Sequence, residues 1–319
     1  MGNKSMYMAY NVPILFIIFK RDYTAARVFE KIREIKPCKL YVSADGPRNE
    51  SERLACDQTR ALIQQVDWGC DVKVMFREKN LGCKYGPYTS ISWFLEQEEE
   101  GIILEDDCVP DLSFFPFVQE MLETYRHDMR IGMIAGHSDV TIPMSTSYVF
   151  SRFKACWGWA TWRRAWRFMD LELQQYDYRR EVAPLMVYDQ RRLPHWLTAL
   201  DLIDQNKVSA WDWPWYFSLA AQSMLCIFPA KNLISNIGFG EDGTHCLGEA
   251  PEEAIVSYSL DFPLKHPETV LVNWEFEQAW ERGLLMGVDP SLFLPPKKKN
   301  VWKSIRKELR RFSQRFRVN

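Results

Sequence analysis

Residues 101–110, Gly-Ile-Ile-Leu-Glu-Asp-Asp-Cys-Val-Pro, pass directly from an apolar stretch into three adjacent carboxylates, Glu105, Asp106 and Asp107. Ionised carboxylates are costly to bury unless a cation or hydrogen-bond donors compensate them. A run of this kind therefore fits the end of a central parallel strand, where the chain emerges into the crevice that α/β folds use for ligands. Three neighbouring acids repel one another, and a hard divalent ion such as Mg²⁺ or Mn²⁺, taking oxygen ligands while orienting a diphosphate, would relieve that repulsion. A solvated strand-to-loop turn would carry the same residues, so the choice depends on what else reaches this edge.

The preceding sequence predicts several such neighbours. Residues 12–19 are continuously apolar and rich in β-formers, which marks a strand covered on both faces. A helix follows, with Asp22 or Thr24 as cap and Ala25, Val28, Phe29, Ile32 and Ile35 at helical spacing until Pro37. Residues 39–43 read as a second strand that ends at an Asp-Gly-Pro turn and projects Asp45 at the same edge. A helix over about 50–66 and a strand over 72–76 complete the next unit. Residues 80–86 read as a glycine-bearing loop entering a helix through Trp93, Phe94 and Leu95, and 96–100 as a solvated acidic link. Strands and helices in strict alternation predict a right-handed doubly wound half-sheet. Its ligand edge would gather Lys20, Arg21, Asp45, Lys84, Glu105, Asp106 and Asp107, basic groups for phosphates and acids for a metal and ribose hydroxyls. No Gly-x-Gly-x-x-Gly follows the first strand and no Walker lysine loop occurs, which argues against dinucleotide oxidoreductases and P-loop enzymes.

With 319 residues, 47% apolar and 26% charged, the chain can bury a large core and has the profile of a globular protein. Its eight cysteines include no Cys-x-x-Cys pair and no zinc spacing, so they read as reduced thiols in a cytosolic enzyme. The apolar run near the N-terminus is too short to span a bilayer and ends in Lys20-Arg21, unlike a secretory signal. The net charge of −2 hides an asymmetry: from Lys297 onward ten Lys or Arg stand against the single acid Glu308, so this tail carries +9 and the rest −11. Trp302, Ile305, Leu309, Phe312 and Phe316 recur at spacings of three and four, which predicts a basic amphipathic helix suited to an anionic membrane surface. The acidic remainder disfavours nucleic acid. Peripheral attachment at the inner, cytoplasmic face of a membrane is the localisation expected from the tail.

The later half is rich in tryptophan, at Trp157, Trp159, Trp162 and Trp166 and again at Trp211, Trp213 and Trp215. Indole rings serve as platforms for sugar rings and equally as core, and core packing is the expectation for at least half of them. Asp212, between Trp211 and Trp213, is the sharper signal, because partial desolvation brings a carboxylate into the range of a general base.

Taken in order, Pro-Ile-Leu-Phe-Ile-Ile-Phe-Lys-Arg at the first strand, Val-Ser-Ala-Asp-Gly at the second, Glu-Asp-Asp-Cys-Val-Pro-Asp-Leu-Ser-Phe-Phe, the Gly-Trp segment and Trp-Asp before a helix form a recognisable series. From about Pro13 to His245 the chain resembles glycosyltransferases of the GT-A fold, within them the inverting group typified by N-acetylglucosaminyltransferase I. That resemblance implies a Rossmann-like α/β mixed sheet with a C-terminal helical extension, divided as residues 8–250, an extension over 251–296 packed on it, and the tail 297–319. It implies transfer of a sugar from a nucleotide-sugar, a UDP-sugar such as UDP-GlcNAc, to a glycan acceptor; the basic tail, by itself, adds the expectation of a lipid-linked acceptor, as in surface-polysaccharide synthesis. Arg21 and Asp45 would contact the base or diphosphate, and Glu105 and Asp106 the sugar and ribose. Asp107 would ligate Mn²⁺ or Mg²⁺, Asp212 would be the catalytic base, and Thr244 and His245 would lie in a loop over the diphosphate. The chain departs from that pattern in having Asp-Trp-Pro-Trp where the transferase has a second acid. A sugar-phosphate nucleotidyltransferase and a catalytically inactive carbohydrate-binding protein at a membrane are the competing readings.

Overall fold

The side chains of β1 (Ile14–Ile18) divide between two faces, Ile14, Phe16 and Ile18 joining one buried cluster and Leu15 another. That division is what a strand covered on both sides requires. The computed structural model describes residues 10–138, 140, 142–239 and 256–283. After β1 the chain turns at once into α1 (Asp22–Ile35), which buries Ala25, Val28, Phe29 and Ile32 on the first face. Neither Asp22 nor Thr24 caps this helix. Arg21 occupies the cap position, and the Thr24 hydroxyl donates to the Arg21 carbonyl. The helix stops where Lys36 adopts a left-handed backbone conformation, one residue before Pro37.

Next come β2 (Lys39–Ala44), α2 (Arg53–Ala61) between two short 3₁₀ turns, and β3 (Asp71–Phe76). They lead to α3 (Gly82–Gln97) and β4 (Glu100–Glu105). One expectation changes here and a second is refined. Residues 82–86 are the first turn of α3 rather than a loop, because the Asp45 carboxylate accepts the Leu81 and Gly82 amides and so starts the helix early. Residues 96–100 are exposed at Glu96, Gln97 and Glu99, as a solvated link requires, but they are also pinned by ion pairs. Glu98 accepts from Lys39 and Tyr41, Glu99 pairs with Arg163 and Glu100 with Arg126.

The chain continues through β5 (Cys108–Pro110), α4 (Phe114–Thr124), β6 (Ile131–Ala135), β7 (Tyr148–Ser151), β8 (Trp159–Trp162) and α5 (Arg163–Trp166). After these follow α6 (Leu193–Asp204), α7 (Asp212–Ala221), β9 (Leu225–Pro229), β10 (Ile234–Asn236) and α8 (Trp274–Gly283). Among the described residues the main sheet has the order β3-β2-β1-β4-β8-β6-β9-β7, and β5 pairs separately with β10. The first four strands are parallel, as the alternation predicts. The far half is mixed, with β8 antiparallel to both β4 and β6, β9 parallel to β6 and β7 antiparallel to β9. The protein is thus α/β, with α1 and α4 over one face and α3 and α7 over the other.

Most of the tryptophans are core. Trp159, Trp166, Trp211 and Trp215 interlock, with ring centroids 4.8 Å apart for Trp166 and Trp215 and a stacked pair at 5.5 Å for Trp159 and Trp211. Burying each such ring contributes on the order of 2 kcal/mol or more. Trp157 and Trp213 remain partly exposed. Residues 256–283 belong to the same compact unit as the sheet, and α8 sets Phe276 and Trp280 against Phe228. No helix among the described residues is long and apolar enough to cross a membrane. The tail 297–319 lies outside the described residues.

One ion pair holds α8 in place. Glu277 has no solvent exposure and accepts from Arg152 Nη2 at 2.5 Å, Arg152 Nε at 3.1 Å, the Arg152 amide at 2.6 Å and Ser151 Oγ at 3.2 Å. Removing the guanidinium strands a buried charge, so Arg152→Ala is expected to destabilise the fold by about 3 kcal/mol, and adding Glu277→Ala to recover part of that loss. Urea unfolding of the single and double variants checks this, and a double variant that loses the sum of both single effects would contradict it.

Candidate active site

Because β1 to β4 run parallel, their carboxyl ends deliver side chains to a single edge, and the strand order reverses between β1 and β4. Such a reversal splays the following connections apart and leaves a crevice. A cleft of about 500 Å³ opens there, lined by Lys20 and Arg21 after β1, Asp45 and Arg48 after β2, Arg77 after β3 and Glu105 and Asp106 from β4.

The acidic triplet is divided because β4 ends at Glu105 and the chain turns at Asp106 and Asp107. Leu104 faces the α1 side, so Glu105, level with Ile17, faces the side of α3 and α7. Asp212, the first residue of α7, comes close enough there for its charge to act on Glu105. Burial chiefly, then the charges of Asp107, Asp106 and Asp212, push the Glu105 carboxyl up to about 8. Asp212 also lies 3.8 Å from the Cys156 thiol, which burial and these same acids push far above its usual range.

Asp106 and Asp107 turn to the other side and meet Arg21. One guanidinium nitrogen, Nη2, bonds Asp106 Oδ1 and reaches Asp107 Oδ2 at 2.7 Å. Asp106 Oδ2 also accepts the Phe19 amide at 3.3 Å. Burial raises the Asp106 carboxyl to about 6 against the opposing pull of Arg21. Burial works against the Arg21 charge as well, but the two aspartates outweigh it and hold the guanidinium protonated. Asp107 is fixed from two further directions. The Cys108 thiol lies 3.4 Å from Oδ1, and a Cβ on Gly238 would fall 2.0 Å from Oδ2, so only glycine permits this approach.

The structure therefore brings Arg21, Glu105, Asp106, Asp107 and Asp212 together. Asp45 reaches the edge as expected, but its oxygens accept the amides of Gly46, Leu81 and Gly82, which makes it the cap of α3. Lys84 does not line the cleft and pairs with Glu172 at 2.8 Å. Thr244 and His245 lie outside the described residues. Sequence reasoning missed Arg48 and Arg77, although Arg77 directly follows β3 and the same rule that selected Arg21 selects it.

Among the described residues no group of three or more His, Cys, Asp or Glu is arranged to hold an ion alone. Asp107 with Asp106 beside it nonetheless offers hard oxygen donors, and Mg²⁺ and Mn²⁺ sites commonly combine one or two carboxylates with substrate phosphates. The cation already present, the Arg21 guanidinium, marks the position as one that attracts positive charge.

No protein-family model matches the chain, and no curated protein matches it. Among solved structures it is similar to HddC from Yersinia pseudotuberculosis, at 11% identity and a TM-score of 0.28 over 44% of this chain and 59% of that one. It is also similar to mouse xyloside xylosyltransferase 1, at 12% identity and a TM-score of 0.33 over 68% and 84%. A third is 4-diphosphocytidyl-2C-methyl-D-erythritol synthase from Anaerococcus prevotii, at 8% identity and a TM-score of 0.31 over 59% and 84%. Likeness at this level carries no argument about what this chain does.

Glu105 makes the site pH-sensitive. Its folded carboxyl titrates near 8 against an ordinary 4.5, so the protein binds a proton on folding between those values, and stability falls as pH rises through that window. Glu105→Gln removes the effect. The variant is expected to be more stable than wild type by on the order of 4 kcal/mol at pH 8, the gain shrinking towards pH 4.5. Urea unfolding at several pH values checks this, and a gain independent of pH would contradict it.

Proposed function

We propose that the protein is a metal-dependent, inverting glycosyltransferase of the GT-A kind, moving a sugar from a UDP-sugar such as UDP-GlcNAc to a glycan hydroxyl. One observation carries the reading: Arg21, Asp106 and Asp107 meet at the β1–β4 reversal, with Glu105 and Asp212 beside them. The cleft of about 500 Å³ at that edge has the volume of a small-molecule site.

Asp107, with Asp106 next to it, would hold Mg²⁺ or Mn²⁺, which when bound offsets the negative charge that builds on a departing diphosphate. Arg21 would supply a guanidinium fork to phosphate oxygens. Glu105, kept protonated near neutrality by burial, can donate a hydrogen bond to a sugar or ribose hydroxyl, a role closed to an ionised carboxylate. Asp212, in the first turn of α7 where free helix N–H groups favour a carboxylate, would take the proton of the acceptor hydroxyl. As that oxygen bonds to the anomeric carbon from one face, the bond to the diphosphate oxygen breaks on the other. The electron pair leaves with the diphosphate, and the configuration inverts.

A sugar-phosphate nucleotidyltransferase needs a glycine-rich loop after the first strand to take a triphosphate. Here α1 starts at Asp22, four residues after β1 ends, with Phe19-Lys20-Arg21 as the whole connection. That leaves no such loop.

Asp107→Ala is expected to abolish Mn²⁺-dependent binding of the UDP-sugar. Asp212→Asn is expected to retain donor binding and lose about 10²- to 10⁴-fold in transfer. Calorimetry with the donor, together with a screen of nucleotide sugars read by nucleoside diphosphate release, measures both. Undiminished turnover by Asp212→Asn would remove Asp212 as the base, and donor binding by Asp107→Ala that still depends on Mn²⁺ would remove Asp107 as the ligand.

A further inference from the structure

Arg21 is placed where an incoming ion would have to work. Its side chain forms ion pairs with Asp106 and Asp107, and a single nitrogen serves both. Asp107 has little freedom to offer an ion a different oxygen. Its Oδ1 faces the Cys108 thiol at 3.4 Å, and its Oδ2 packs so tightly on Gly238 that a Cβ there would stand 2.0 Å away. A divalent cation approaching Asp107 alone therefore meets a guanidinium already on the carboxylate, and the two positive charges repel.

We propose that Arg21 is an internal stand-in for the divalent cation, so that Asp107 takes up the ion effectively only together with a diphosphate. The inference rests on the reading of Asp107 as the metal position and adds the residue that controls when the position is free. A diphosphate changes the balance because it brings anionic oxygens to which the guanidinium fork can turn, while Asp106 remains within reach of the same side chain. Arg21 then exchanges one acid for another, and Asp107 is released to the ion. Linkage makes the effect reciprocal: the diphosphate tightens the ion by the same factor as the ion tightens the diphosphate. The arrangement offsets part of the charge of the acidic pair in the resting protein.

The test is Mn²⁺ binding to the full chain, read from the loss of the free-ion electron paramagnetic resonance signal, with MnCl₂ alone and with UDP added. Wild type is expected to bind Mn²⁺ weakly alone and on the order of tenfold or more tightly with UDP. Arg21→Gln is expected to tighten Mn²⁺ alone by a similar factor and to lose most of the gain from UDP. Lys20→Gln removes an equal charge from the same cleft wall, where Lys20 pairs with Glu52 rather than with either aspartate, and is expected to shift Mn²⁺ affinity less. Thermal melting confirms that the variants are folded. Equal Mn²⁺ affinity in wild type and Arg21→Gln without UDP, or equal shifts in Arg21→Gln and Lys20→Gln, would overturn the stand-in role while leaving Asp107 as a metal ligand. An absence of Mn²⁺ binding by wild type even with UDP would overturn both.

Discussion

A guanidinium just after β1 bridges two aspartates just after β4, and the rest of the site is arranged around that contact. Strand β4 can lie in the middle of the sheet because its interior residues are apolar, yet it must discharge three acids where it ends. Glu105 avoids the cost of desolvation by staying protonated near neutrality, whereas the two aspartates need a cation beside them. Strand order supplies it: β1 is the parallel neighbour of β4, so the first residues after β1 are those within reach. The reversal that opens the crevice and the pairing that neutralises its floor are consequences of the same topology.

The turn that follows the last residue of β4 then separates the acids into two chemistries. Asp106 and Asp107 turn towards Arg21, whose guanidinium pairs with both. Glu105 faces α7, where burial and the neighbouring acids keep it protonated near neutrality. A single run of three residues thus provides cation-binding carboxylates on one side and a neutral hydrogen-bond donor on the other, and Asp212 joins the latter. Gly238 and Cys108 add no charge; they fix the direction in which Asp107 points.

The parallel half of this architecture was legible in the sequence. Continuous apolar runs alternating with helical spacing gave β1 to β4 in their order, and the rule that ligands sit at the carboxyl ends of such strands selected Arg21 and the acidic triplet before any coordinates. Asp45 lies at the expected edge, but its role as cap of α3 was not legible, since it joins residues 36 apart and leaves no local signature. The Lys84–Glu172 ion pair joins residues 88 apart and is equally silent in the sequence. The tryptophans illustrate a different limit. Sequence spacing does not distinguish a sugar platform from a core ring, and only the mutual contacts of Trp159, Trp166, Trp211 and Trp215 decide for core. The mixed far half of the sheet rests on pairings such as β4 with β8, which bring together residues about sixty apart and have no periodicity of their own to announce them.

The most direct measurement of the central claim is a crystal structure of the full chain with UDP and Mn²⁺, in which anomalous scattering locates the ion. The account requires an anomalous peak within coordination distance of Asp107 and of the diphosphate, with the Arg21 guanidinium turned from Asp107 to a phosphate oxygen. A diphosphate bound elsewhere, with Arg21 still bridging Asp106 and Asp107 and no ion between protein and phosphate, would contradict it.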